Sequence, residues 1–200
     1  MRTLRLIAMT LPTLALLACS GAETPAPSPP AAPATPAEPA PEATPAPAEP
    51  EATAPTPYTA EEIRDASKVG REWQYRIVKG DVTEWSIMTM TAVDAEGATI
   101  RSTVRGAEGQ EVGEAKESRA TWDELRLHAS FPAAATEIAD DEAGAPGGPY
   151  DCKRYTVSRD GGTATFWFAN DLPGAPIKMT VEKDGAVVET RQLMKYSAGT

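Results

Sequence analysis

The first aromatic residue of this 200-residue chain is Tyr58. No Trp, Tyr or Phe precedes it, and thirteen prolines fall between Pro25 and Pro57 in a run otherwise made almost wholly of Ala, Thr and Glu. Proline fixes its own φ and disfavours helix at the residue before it, so the run predicts an extended, PPII-like segment. A stretch without aromatics or large aliphatics buries too little surface to offset the entropy of ordering. The chain therefore divides into a disordered Pro/Ala/Glu-rich linker over 19–57 and one globular domain over 58–200, of ordinary domain size. At about 3.1 Å per residue, the linker reaches at most on the order of 100 Å. Its monotony and its lack of basic or aromatic anchors favour a spacer over a PxxP recognition segment.

Ahead of the linker, Arg2 and Arg5 make a positive start, and Leu6 to Ala18 is an apolar run broken only by Thr10, Pro12 and Thr13. That run is too short to span a bilayer comfortably and reads as a signal peptide over 1–18. The residues Leu16-Leu17-Ala18-Cys19 resemble the lipobox of bacterial lipoproteins. The resemblance implies diacylation of Cys19, cleavage before it, and a membrane as partner through the lipid anchor. Two acyl chains hold stably where one is marginal. Ser20 after the Cys resembles the pattern that sends proteobacterial lipoproteins to the outer membrane, so the expected address is the cell envelope, facing the periplasm.

From Tyr58 onward there are 24 acidic and 17 basic residues, a charge near −7. An acidic domain with dispersed Lys and Arg is repelled by phosphate backbones and anionic headgroups, which excludes nucleic acid as a partner. Thr59-Ala60-Glu61-Glu62 has capping-box spacing and predicts a short helix carrying Ile63, Ala66 and Val69 to Gly70. Trp73, Tyr75 and Ile77 then alternate with Gln74 and Arg76, the period of a half-buried strand. A second strand runs from Trp85 to Val93 and a third through Ile100, Ser102 and Val104, with a hairpin loop at Asp94 to Gly97. Gln110 to Ala120 is polar and fits an edge strand, and Thr121 with Glu124 caps a second short helix before Pro132. Ala143 to Pro149 reads as a loop. Tyr150 to Ser158, Ala164 to Ala169, Ile177 to Glu182 and Val187 to Tyr196 read as four strands joined by Gly- and Pro-containing turns. The fold class that follows is mostly β (α+β): an antiparallel sheet, curled as an open half-barrel or a meander, with one or two short helices.

Little in this domain resembles a catalytic or metal site. His128 is the sole histidine, and no GxSxG, HExxH, P-loop or GxGxxG pattern occurs, so no catalytic, cofactor or metal residue is assigned. Asp140-Asp141-Glu142 lacks the spacing of a calcium loop and reads as solvated charge. Met88 and Met90 share a strand face, which suits core packing better than copper. Cys152 has no partner once Cys19 is lipidated and reads as a buried, inert thiol. The densest feature is Phe166-Trp167-Phe168, where Phe166 and Phe168 face one side and Trp167 the other. Either both faces are covered or an aromatic lies exposed. Trp73, Tyr75, Phe166, Trp167 and Phe168 are therefore the candidate surface for an apolar ligand or a partner.

The run from Tyr150-Asp151-Cys152 through Tyr155-Thr156-Val157 to Phe166-Trp167-Phe168 and Leu172-Pro173-Gly174 is similar to the C-terminal strands of uncharacterised envelope proteins with a lipoprotein-carrier-like half-barrel. The resemblance implies a fold and assigns no functional residue. Together these readings lead to a non-enzymatic envelope lipoprotein that binds an apolar small molecule or another envelope protein. The rivals are an interaction lipoprotein without a small ligand and, less favoured, a carboxylate-dependent hydrolase.

Overall fold

The computed structural model describes residues 52–159 and 161–200. The signal segment, the lipobox with Cys19, the linker up to residue 51, and Asp160 lie outside the described residues. Nine strands follow one another as β1 (Glu72–Lys79), β2 (Val82–Val93), β3 (Gly97–Gly106), β4 (Lys116–Thr121), β5 (Thr136–Ala145), β6 (Gly148–Arg159), β7 (Gly162–Ala169), β8 (Lys178–Lys183) and β9 (Ala186–Ser197). Helix α1 (Ala60–Asp65) precedes β1, and α2 (Trp122–Leu127) follows β4. All neighbouring strands are antiparallel, in the order β4-β3-β2-β1-β9-β8-β7-β6-β5. Two meanders thus meet where β1 pairs with β9, and the sheet stops at β4 and β5 without closing. This is the open, mostly β architecture with two short helices that the strand and turn pattern predicts.

Alternation along the strands sorts the side chains. Trp73, Tyr75 and Ile77 of β1 are 4%, 1% and 7% exposed, while Gln74 and Arg76 between them are not buried. Their cross-strand partners continue this core face through Met88 on β2 and Leu193 and Tyr196 on β9. It continues through Phe166 and Phe168 on β7 and Tyr155 and Val157 on β6. Met90 is buried and Met88 half-buried in this core, as packing residues. The covering elements are α1, α2 and Phe131.

Both helices start as their spacing predicts. The Glu62 N–H donates to Thr59 Oγ1 at 3.1 Å while the Thr59 N–H donates to Glu62, and Thr121 with Glu124 repeats the arrangement. Each helix is only six residues long, so α1 buries Ile63 alone, and Val69 is left 46% exposed beyond its end. Isolated helices of this length are unstable in water, so packing onto the sheet must hold them. For α2 that anchor is Trp122, whose indole N–H donates to the carbonyl oxygens of Asp94 and Ala95 in the β2–β3 loop.

Two boundaries differ from the sequence reading. The folded chain begins before Tyr58: Ala54 is buried, its N–H donates to the Phe131 carbonyl at 2.8 Å, and Tyr155 Oη donates to the Pro55 carbonyl at 3.0 Å. Thr56 and the flanking prolines Pro55 and Pro57 lie in this same segment, so the end of the linker packs against Phe131 and Tyr155. Second, Ala143 to Pro149 is not a loop throughout. β5 runs to Ala145, β6 starts at Gly148, and only Pro146 and Gly147 turn the chain. The missed strand β5 contains Asp140-Asp141-Glu142, and the two aspartates are paired rather than simply solvated: Asp140 with Lys153, and Asp141 with Arg154 at 3.1 Å. Charges on an edge strand discourage pairing with other chains, which explains a strand of such low β-propensity.

Candidate functional site

The five aromatics singled out in the sequence end up in three environments. Phe166 and Phe168 share the core face with Tyr155 and Phe131. Phe131 stacks on Phe166 at 4.9 Å between centroids, and Tyr155 meets Phe168 edge-on at 5.4 Å. Phe168 is 2% exposed and Phe166 half-buried. Trp73 and Tyr75 sit deeper on the same face, so these two and Phe168 are core rather than surface. Trp167 points to the opposite face, where its indole N–H donates to Asp141 Oδ2 at 3.0 Å and Lys178 Nζ lies 4.5 Å from its ring centroid. Both sides of the aromatic run are therefore covered. The Trp167 bond and the Glu142 backbone N–H hold the Asp141 carboxyl below its ordinary value.

The core face also carries polar groups that hydropathy does not reveal. Arg71, just before β1, is 0% exposed and forms no salt bridge among the described residues. Its Nε donates to Tyr196 Oη at 3.1 Å and its NH2 to the Pro173 carbonyl at 2.7 Å, and its guanidinium lies 4.5 Å from the Trp73 ring centroid. Burial lowers its pKa from the ordinary arginine value, with Tyr196 opposing. These bonds tie the start of β1 to the end of β9 and to the loop after β7. The approach is close: Gly199 has φ +78°, and a Cβ there would lie 2.5 Å from the Val69 carbonyl oxygen and 2.7 Å from the Arg71 nitrogen. Any other residue would push the C-terminal tail off this junction.

Three further polar atoms on this face are buried without a hydrogen-bond partner among the described residues: Trp73 Nε1, Tyr75 Oη and Arg191 Nε. Trp73 and Tyr75 lie two residues apart on β1. Arg191 on β9 pairs in register with Ile77 and Met179, and its guanidinium is 5.9 Å from the Tyr75 ring centroid. An unmade buried hydrogen bond costs about 1–3 kcal/mol, so three orphans on adjacent strands require an explanation. Around them Phe166, Met179 and Val181 are only half-buried. The arrangement offers two N–H donors and a hydroxyl beside incompletely covered apolar surface, which suits an amphiphile with an acceptor-bearing head. Burial pushes the Tyr75 hydroxyl up, so it stays protonated.

Other candidate chemistry is accounted for structurally. Cys152 is buried and its Sγ lies 3.3 Å from the Tyr150 carbonyl; burial pushes the thiol up, away from the reactive thiolate. Among the described residues no group of three or more His, Cys, Asp and Glu side chains is placed to hold a metal ion. No helix among them is long and apolar enough to cross a membrane. Sequence reasoning missed Arg71, whose partners Tyr196 and Pro173 lie more than 100 residues along the chain, and Arg191, whose face on β9 depends on register.

The fold class is thus an open antiparallel half-barrel or meander with a polar-lined core face. No family model matches the chain, and no curated protein matches it. Among solved structures it is similar to MucB in complex with MucA(peri), with 13% identity, 70% of this chain and 55% of that chain covered, and a TM-score of 0.47. It is also similar to a chain of the Pseudomonas aeruginosa MucA/MucB complex, with 12% identity, 68% and 54% covered, and a TM-score of 0.45. MucB alone gives 13% identity, 70% and 57% covered, and a TM-score of 0.46. The chain spans little more than half the length of those chains.

Proposed function

We propose that the protein is a non-enzymatic envelope lipoprotein, held to a membrane through Cys19, whose domain binds an amphiphilic ligand on the core face of its open sheet. The observation that carries the binding role is the trio of orphaned polar atoms, Trp73 Nε1, Tyr75 Oη and Arg191 Nε, beside half-buried Phe166, Met179 and Val181. The ligand class that complements them has an apolar chain and a carboxylate or phosphate head. Titration with a long-chain fatty acid tests this: Trp73 emission shifts on binding, and Arg191→Met weakens binding about tenfold, the worth of one charge-assisted hydrogen bond. An unchanged emission at saturating fatty acid contradicts the reading.

A second reading, an interaction lipoprotein without a small ligand, is favoured by the tight burial of Trp73, Tyr75 and Phe168. In it, ordered water satisfies the three atoms. The anchor is tested separately. Cys19→Ala abolishes precursor cleavage and membrane retention if the lipobox resemblance holds, and leaves both unchanged if it does not. The outer membrane, facing the periplasm, is the address that Ser20 supports.

A further inference from the structure

The sheet face opposite the core gathers cations that the sequence scatters. Cross-strand register places Gln192, Arg76, Trp85 and Arg105 in one row across β9, β1, β2 and β3. The next row holds Lys195, Gln74, Ile87 and Thr103, and the one after it Glu72, Thr89, Arg101 and Glu117. Arg119 follows on β4, opposite Thr99. On this part of the face five cations meet four carboxylates, Glu72, Glu117, Asp94 beside Arg119 and Glu111 bridged to Arg105, on a domain whose acids outnumber its bases by 24 to 17. Arg119 is paired with Asp94 at 2.7 Å, and Lys195 lies 3.9 Å from Glu72. Arg76, Arg101 and Arg105 are exposed and form no salt bridge among the described residues; Trp85 and Ile87 lie half-buried between them.

We propose that this face docks on the anionic headgroups of a membrane surface. Charge complementarity enters through the three guanidinium groups around Trp85 and Ile87 that form no ion pair among the described residues, and not through an excess over the whole face. Free guanidinium groups suit phosphate, a Trp among cations is the side chain that settles at a bilayer interface, and three interstrand steps of about 4.8 Å give the row a breadth of roughly 14 Å. The acidic remainder of the domain is repelled by the same surface, so docking fixes orientation and turns the helix-covered core face away from the lipid. The proposal rests on the membrane-anchored reading only for the local concentration that a tether supplies. It also revises the expectation that this acidic domain avoids anionic headgroups, since net charge hides how its cations are placed.

The test mixes the full chain with vesicles carrying brominated acyl chains, made either of phosphatidylglycerol or of phosphatidylcholine. Trp85 emission is quenched in the phosphatidylglycerol vesicles and not in the phosphatidylcholine ones. The quenched component disappears in Trp85→Phe, in R76E with R105E, and at about 0.5 M salt, where screening acts within a few Å. Should the double charge reversal fail to fold, the Arg76→Gln and Arg105→Gln pair replaces it, with the same loss expected. Co-sedimentation in the same tubes reads the anchor, and quenching is scored whether or not the chain is anchored. Absent quenching, equal quenching in both lipids, or quenching that survives charge removal overturns the proposal. So does protection of the face by poly-glutamate without quenching in vesicles, which would assign it to an acidic protein partner.

Discussion

Arg71 and Tyr75 show opposite ways of burying a polar group in this core. Arg71 has a protein partner for its Nε and its NH2, so Arg71→Ala leaves the Pro173 carbonyl and Tyr196 hydroxyl short of a donor and opens a void. Its unfolding free energy in urea should fall by roughly 2–5 kcal/mol. Arg71→Lys keeps the charge but loses the fork and the stacking on Trp73, and should cost about 1–3 kcal/mol. Tyr75 Oη has no protein partner, so Tyr75→Phe should change stability by less than about 1 kcal/mol while weakening ligand binding. A large loss of stability on that substitution would mean that the hydroxyl serves the fold instead. Asp141 gives a pH-dependent signal. Its carboxyl titrates below the ordinary 3.8 in the folded protein, so its stabilising contribution is complete above that value and is lost as the pH falls through the depressed one. Trp167 emission should therefore be flat at neutral pH and change only below about pH 4, and Asp141→Asn should flatten that transition.

At the level of elements, the two six-residue helices depend on their caps. Thr59→Ala or Thr121→Ala should each cost about 1 kcal/mol by thermal or urea unfolding, near-additively if the two caps act independently. These caps were legible because S/T-x-x-E is a local pattern. So were β1 and β6 to β9, whose alternation and Gly-bearing turns sit within a few residues of each other. β5 was not legible, because three consecutive acids contradict strand propensity and two of them are stabilised by cations 13 residues away on β6. The aromatic face of the candidate site followed from period two alone. Arg191 did not, since its side is set by pairing with β1, more than 100 residues away, across a bulge at Gln74/Tyr75. The arginine cluster was hidden for the same reason: Arg76, Trp85 and Arg105 become neighbours only once three strands are in register.

For the whole molecule, one sheet offers two unlike faces. The core face holds the helices and the orphaned polar atoms, and the opposite face sets Arg76, Arg101 and Arg105 around Trp85. A ligand on the core face is what separates the two readings of this domain. Native mass spectrometry of residues 52–200, exported to the envelope of its host and purified without detergent, tests it most directly. The predicted result is a bound mass in the range of a single amphiphile that vanishes on denaturation and is diminished in Arg191→Met. A bare protein mass, recovered from the same preparation with the fold intact, would contradict it.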